Sequence, residues 1–138
     1  KSPPLYSSAA SDVYKRQGTG IPAGESARLQ GIARLIAQGS GPAFDLLLPS
    51  VVHAEVAAGQ FFGPRSGLVA RVAARLAAVH TGFDPRGFAV PEVYYTRHRA
   101  EYAAAVGNYR TALADTLATH LAAWTAGGKE ADAIARAA

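Results

Sequence analysis

Cysteine and methionine are both absent from this chain of 138 residues. The lack of cysteine excludes disulfide bonds, thiolate zinc sites, iron–sulfur clusters and a cysteine nucleophile. Since no methionine stands at the start, we expect the sequence to be a fragment of a longer protein. No apolar run reaches the roughly 18 residues of a membrane-spanning helix, and the start lacks the apolar stretch of a signal peptide. We therefore expect a cytoplasmic protein with no membrane partner.

Positive charges exceed negative charges only slightly. The formal net charge is +4, from 14 basic and 10 acidic residues. Half of this excess lies in residues 1–17, where Lys1, Lys15 and Arg16 outnumber Asp12. The rest of the chain is nearly balanced and has no basic stripe, so we do not expect nucleic acid as a partner.

Hydrophobic residues make up 49% of the chain, which is enough for a packed core in a single domain. Residues 1–20 show no helical periodicity, and the string at 8–17 resembles translated adapter sequence. We interpret residues 1–20 as a disordered or foreign tail and residues 21–138 as one helical domain. No segment alternates with period two over more than a few residues, so the predicted fold class is all-α.

Apolar residues recur at helical spacing in five segments. Pro49 is expected either to kink the second segment or to mark its start. The third helix is predicted to bury the face that carries Leu68, Val72, Leu76 and Val79. The pair Gly127-Gly128 either breaks the last helix or lies inside it. The predicted helices cover residues 26–38, 43–59, 68–80, 91 to about 109, and 111 onward.

The loop at residues 60–67 connects the second and third predicted helices and is the strongest candidate for a binding site. Free N–H groups at a helix N-terminus favour anions. Ser66 is suited to cap the helix, and Gly67 allows close approach to the backbone. Arg71 lies one turn into the helix, within reach of the same anion. The segment therefore predicts a phosphate-binding loop, and the alternative is a plain helix–loop–helix connection with a serine cap.

The stretch 60–71, Gln-Phe-Phe-Gly-Pro-Arg-Ser-Gly-Leu-Val-Ala-Arg, resembles the signature of Fic (Fido) domains. That signature is a helix, the loop His-Pro-Phe-x-(Asp/Glu)-Gly-Asn-Gly-Arg-x-x-Arg, and a second helix. Phe62, Gly67 and Arg71 match it. Similarity in the flanks extends the resemblance to residues 43–124, and it is closest to a divergent group of actinobacterial Fic-like proteins. The flanking similarity lies at residues 51–56, 68–82, 82–92 and 99–105.

The resemblance implies an all-α domain whose N-terminal helices are missing here, and an activity that moves AMP from ATP onto a hydroxyl group of a target protein. It also implies that this loop lacks three residues of the signature: the base, the acidic residue and the first arginine. Gln60 occupies the place of the histidine base, and an amide has no usable pKa near neutrality. Pro64 replaces the acidic residue that holds magnesium, so Mg²⁺ is not expected. Leu68 replaces the first arginine, which removes a phosphate contact.

We therefore expect a degenerate Fic-like domain that lacks AMP transfer and retains a residual site for a phosphate or a nucleotide, with ATP as the candidate. The residues expected to bind it are Arg65, Ser66, Gly67 and Arg71, and no metal ligand is assigned. Two alternatives remain open. One is an active nucleotidyl or phosphoryl transferase with altered loop chemistry, and the other is a small helical module that binds a protein or nucleic acid.

The other candidate residues have structural interpretations. Phe62, together with Phe61, is expected to anchor the loop in the core. His53 lies two turns before Gln60, roughly 10 Å away along a helix, which is too far to replace the base. The remaining histidines, His80, His98 and His120, are assigned to packing or to the surface, because no pair has the spacing of a helical metal site.

Overall fold

The computed structural model describes residues 23–138, and this part of the chain folds into seven α-helices and one 3₁₀ helix, without β-strands. The predicted all-α class is confirmed, whereas the prediction of a tail at residues 1–20 lies outside the described residues. The α-helices are α1 (Ala23–Gln38), α2 (Pro42–Asp45), α3 (Leu48–Gly59), α4 (Ser66–Thr81), α5 (Pro91–Arg97), α6 (Arg99–Gly107) and α7 (Leu113–Ala137). The 3₁₀ helix, Gly63–Arg65, runs directly into α4.

Proline and glycine set several helix ends where the sequence predicts them. Pro49 lies in the first turn of α3, where its missing N–H costs no hydrogen bond, so it marks the start of the helix. Pro91 opens α5 in the same way. Gly82 ends α4 in the left-handed conformation, with φ 80°, which a residue without a β-carbon adopts at little cost.

The prediction of a single helix from residue 91 to about 109 is wrong. His98 leaves the helical conformation, with φ −120° and ψ 50°, and separates α5 from α6. In one straight helix Tyr95 and Tyr102 would stand roughly 10 Å apart along the axis. The break instead brings their ring centroids to 4.6 Å, so both rings enter the same part of the core.

Helix α3 lies at the centre of the fold, and α4 packs most extensively against it. The predicted buried face of α4 is wrong. The face turned inward consists of small side chains, which allow the backbones of α3 and α4 to approach closely. The large aliphatic side chains lie on the opposite face and are exposed to solvent. The buried residues are Ser66, Ala70, Ala74, Ala77 and Ala78, and the exposed ones are Leu68, Val72, Leu76 and Val79.

Helix α7 closes the other side of the core and continues through its two glycines. Trp124 of α7 is buried against Ala74 and Ala78 of α4, and its ring meets the edge of Phe83 at a centroid distance of 5.5 Å. Gly127 is buried and accepts a backbone hydrogen bond from Val90 at 3.2 Å. Within residues 23–138, no helix combines the length and apolar character that crossing a membrane requires.

Candidate functional site

The connection between α3 and α4 begins at Gln60, which is exposed and adopts the left-handed conformation with φ 52°. This conformation costs energy in a residue with a β-carbon. The side-chain Nε2 of Gln60 donates to the carbonyl oxygen of Ala57 at 2.7 Å, and so satisfies one of the free carbonyls at the end of α3. Gln60 therefore serves as a helix cap at the position where the Fic motif has its base.

The aromatic anchor of the loop is Phe61, and the predicted anchoring role of Phe62 is wrong. Phe62 is 41% exposed. The ring of Phe61 lies directly over Gly59, so closely that a β-carbon at Gly59 would stand 2.1 Å from it. Because α3 ends at Gly59 and Gln60 adopts the left-handed conformation, the chain reverses there and turns Phe61, rather than Phe62, back onto the helix.

The predicted capping role of Ser66 is also wrong. Ser66 is the first residue of α4, already in the helical conformation, and it is 1% exposed. Its Oγ accepts a hydrogen bond from the backbone N–H of Phe62 at 3.1 Å. The 3₁₀ turn explains the difference, because it leads the chain into α4 without the extended residue that a serine cap requires. The hydroxyl of Ser66 thus holds the loop closed and is shielded from solvent.

Gly67 and Arg71 come together at the start of α4, as predicted. A β-carbon on Gly67 would meet only Nη1 of Arg71, at 3.9 Å, so the guanidinium extends back along the first turn of the helix. Arg65, the residue before α4, is exposed and makes no side-chain cap. The N–H of Ser66 donates to the carbonyl of Gly63 in the 3₁₀ turn. The next N–H groups of α4, those of Gly67 and Leu68, have no side-chain acceptor within residues 23–138, and the guanidinium of Arg71 lies beside them. This arrangement provides the chemical features for binding a small anion.

The loop also borders an open cleft of about 290 Å³, between the end of α3 and the segment that follows α6. Gln60 is the only predicted site residue in its wall. Arg110, at the far side of the cleft, forms an ion pair with Glu25 at 3.1 Å. The cleft and the start of α4 are therefore separate features of the loop. The lining residues are Ala58, Gln60, Val106, Gly107, Tyr109 and Arg110.

A buried cluster of two histidines and two tyrosines is the feature that the sequence did not reveal. His53 of α3 and Tyr102 of α6 are joined by a hydrogen bond of 2.9 Å between Nε2 and the hydroxyl oxygen. Tyr95 of α5 and His120 of α7 are joined by one of 2.8 Å, between the hydroxyl and Nδ1. The two histidine rings have centroids 4.4 Å apart. The cluster ties four helices together through polar contacts inside the core.

Burial controls the charge state of this cluster. It lowers the pKa of His53 well below its ordinary value, and the nearby charges of His120 and Arg71 add to the effect. It lowers the pKa of His120 to about 4. Burial also raises the pKa of Tyr102, a rise that the charge of Arg71 opposes. Both histidines are therefore neutral at pH 7, and Arg71 is close enough to the cluster for its charge to act on the pKa of His53 and of Tyr102.

One sequence signal could have located the cluster. His120 follows Thr116 by four residues and precedes Trp124 by four, and all three are buried on one face of α7. His53 lies between Val52 and Ala54 on a helix that is almost entirely buried. A histidine inside an apolar helical face requires a polar partner on another helix. The sequence does not identify that partner, because all four members come from different helices.

Most carboxylates of the described residues are used in ion pairs and in hydrogen bonds within turns. Glu55 accepts hydrogen bonds from Arg28 of α1 and from the hydroxyl of Tyr109. Glu92 pairs with Arg75 at 3.0 Å. Glu55 and Glu92 are thus held by different partners, and residues 23–138 contain no group of three or more His, Cys, Asp or Glu arranged to hold a metal ion.

Comparison of the chain with protein-family models, with curated proteins and with solved structures gives no match.

Proposed function

We propose that this chain is a Fic-like helical domain that has lost protein AMP transfer and retains a phosphate-binding position at the start of α4. The observation that carries the proposal is the position of Arg71. Its Nη1 lies 3.9 Å from where a β-carbon of Gly67 would stand, beside helix N–H groups that no side chain caps. Arginine and helix N–H groups are the donors that phosphate oxygens accept from most strongly.

The loss of transfer follows from the groups on the loop. Residues 60–71 contain no histidine and no carboxylate. The amide of Gln60 is engaged with the carbonyl of Ala57, and an amide does not take a proton from a hydroxyl near neutral pH. The missing base alone accounts for a loss of about 10²–10⁴ in rate. Pro64 supplies no oxygen for a hard cation, so the charge neutralisation on which phosphoryl transfer depends is missing as well.

Because Ser66 is buried, we exclude its hydroxyl from the residues proposed to bind the ligand. Its hydroxyl is committed to Phe62 and takes no part in binding. The ligand contacts are instead the N–H groups of Gly67 and Leu68, the guanidinium of Arg71 and the exposed side chain of Arg65. The neighbouring Gly67 leaves room for a phosphate oxygen against the backbone, because Nη1 of Arg71 is the nearest described atom outside its chain neighbours and its own helix backbone, at 3.9 Å from the β-carbon position.

Calorimetric titration with ATP, ADP and inorganic phosphate tests the binding half of the proposal. We expect Arg71→Gln to weaken binding roughly tenfold, because it removes a charge-assisted hydrogen bond. Arg65→Gln is a second variant on an exposed side chain, and Arg136→Gln, at the end of α7, is the matched control. If the wild type, Arg71→Gln and Arg65→Gln bind these ligands with equal affinity, the proposed phosphate site is contradicted.

A transfer assay tests the proposed loss of protein AMP transfer. The protein is incubated with Mg²⁺, ATP labelled at the α-phosphate and a mixture of target proteins, and we expect no label on protein. Label transfer that disappears in Gln60→Ala would show an active transferase with altered chemistry and would refute the proposed loss of function.

A further inference from the structure

The outer face of α4 carries a row of four large aliphatic side chains in solvent, which we call the α4 stripe. Leu68 is 56% exposed, Val72 52%, Leu76 60% and Val79 42%. Their spacing of four, four and three residues places them on one side of the helix. Phe88, which is 63% exposed, extends the stripe, because the preceding Gly87 lies beside Val79.

Such a stripe differs from scattered surface leucines. Complete burial of one side chain of this size is worth roughly 1.5–3 kcal/mol, and none of the described residues covers these four. The row runs from residue 68 to residue 79, which is roughly 16 Å along the helix axis. Contiguous apolar surface bordered by polar residues marks sites of interaction with other molecules.

The charges around the stripe indicate the partner. Arg65 stands at its N-terminal end and Arg86 at its C-terminal end, and both are exposed. Arg75 flanks the middle, with its charge balanced by Glu92 at 3.0 Å. The remaining carboxylate, Asp84, accepts the backbone N–H groups of Phe88 and Ala89. The border of the stripe therefore carries an excess of positive charge.

This pattern disfavours two copies of the chain pairing through α4. An antiparallel pair would place Arg65 of one copy near Arg86 of the other, and a parallel pair would place equal charges side by side. The stripe is also one side chain wide and about three turns long, a shape that fits a single helix better than a lipid surface.

We propose that the α4 stripe is a docking surface for an acidic amphipathic helix of another protein, which lays an apolar face along Leu68, Val72, Leu76 and Val79. Glutamate or aspartate at the ends of that helix meets Arg65 and Arg86. The docking surface shares Arg65 with the phosphate position at the first turn of α4, and it is tested at Leu76 and Arg86, which take no part in that position.

The test uses two sets of fluorescent helical peptides of about 15 residues, the length that covers the stripe. Each peptide carries four leucines at the stripe's spacing, flanked by glutamate in one set and by lysine in the other. We expect the glutamate set to bind at least about tenfold more tightly, and Leu76→Asp and Arg86→Glu each to weaken that binding by about tenfold. Leu113→Asp, at a half-exposed leucine of α7, is the matched control and should bind as the wild type does.

Four results would overturn the proposal. These are equal binding of the two peptide sets, failure of the glutamate set to bind, a dimer in sedimentation velocity that Leu76→Asp abolishes, and association with anionic vesicles in preference to the peptides. Circular dichroism of the variants separates loss of docking from loss of fold. Because Leu76 and Arg86 are exposed, we expect both variants to fold like the wild type.

Discussion

His53 and His120 show how strongly single residues of this protein depend on their surroundings. His120 is completely buried, and within the described residues its Nε2 has no hydrogen-bond partner, while Nδ1 is bonded to Tyr95. A protonated imidazole at this place would put a charge into the core beside a second imidazole. Burial therefore favours the neutral form of the cluster.

The neutral state of the buried histidines predicts that the unfolding free energy falls in acid. The folded protein holds the pKa of His120 at about 4, below the ordinary value of 6.5. The unfolded chain binds a proton through this window and the folded chain does not, so stability falls as the pH is lowered from 6.5 towards 4 and the loss levels off below that. The lowered pKa of His120 corresponds to a loss of unfolding free energy on the order of 3 kcal/mol. His53, whose pKa is also lowered, adds to it.

Denaturant unfolding as a function of pH measures this effect. In His120→Gln we expect a shallower decline of the unfolding free energy between pH 6.5 and 4 than in the wild type. The control is His80→Gln, at an exposed histidine. If the wild type and His120→Gln decline in parallel, the buried cluster does not govern acid stability.

At the scale of one element, α7 shows that two neighbouring glycines can have opposite roles. A β-carbon on Gly127 would lie 2.6 Å from the backbone nitrogen of Pro91 and 2.6 Å from the carbonyl carbon of Val90. Among residues 23–138, no atom outside the helix lies within 4 Å of the same position on Gly128. Gly127 is thus required by the close approach of the segment before α5, and Gly128 only weakens the helix.

The pair Gly127→Ala and Gly128→Ala tests this contrast. We expect Gly127→Ala to lower the unfolding free energy by about 1–3 kcal/mol, because the clash is with backbone atoms that cannot rotate away. Gly128→Ala should raise it by up to about 1 kcal/mol, the difference in helix propensity. Thermal melts of the two proteins measure both effects, and a similar change in both would show that α7 and α5 do not pack as described.

At the scale of the whole molecule, periodicity predicted the helical class, the break between α3 and α4, and the start of α5 at Pro91. It did not predict which face of α4 is buried. Hydrophobicity favours Leu68, Val72, Leu76 and Val79, but close packing against α3 requires the alanine face. The choice between two such faces depends on the neighbouring helices, which a single sequence does not specify.

The sequence likewise predicted only part of the candidate site. Local spacing correctly placed Gly67 and Arg71 together, because they lie one turn apart on one helix. It failed for Ser66 and Phe62, whose orientations depend on the 3₁₀ turn that precedes α4. It also missed the cluster of His53, Tyr95, Tyr102 and His120, because the break at His98 and the packing of four helices bring these residues together.

The most direct test of the central claim is an NMR titration of the ¹⁵N-labelled protein with inorganic phosphate. The account predicts that the largest shifts occur at the backbone amides of Gly67 and Leu68, at the start of α4, and that they shrink in Arg71→Gln. Shifts confined to the cleft around Tyr109 and Arg110, or no shifts at the start of α4, would contradict it.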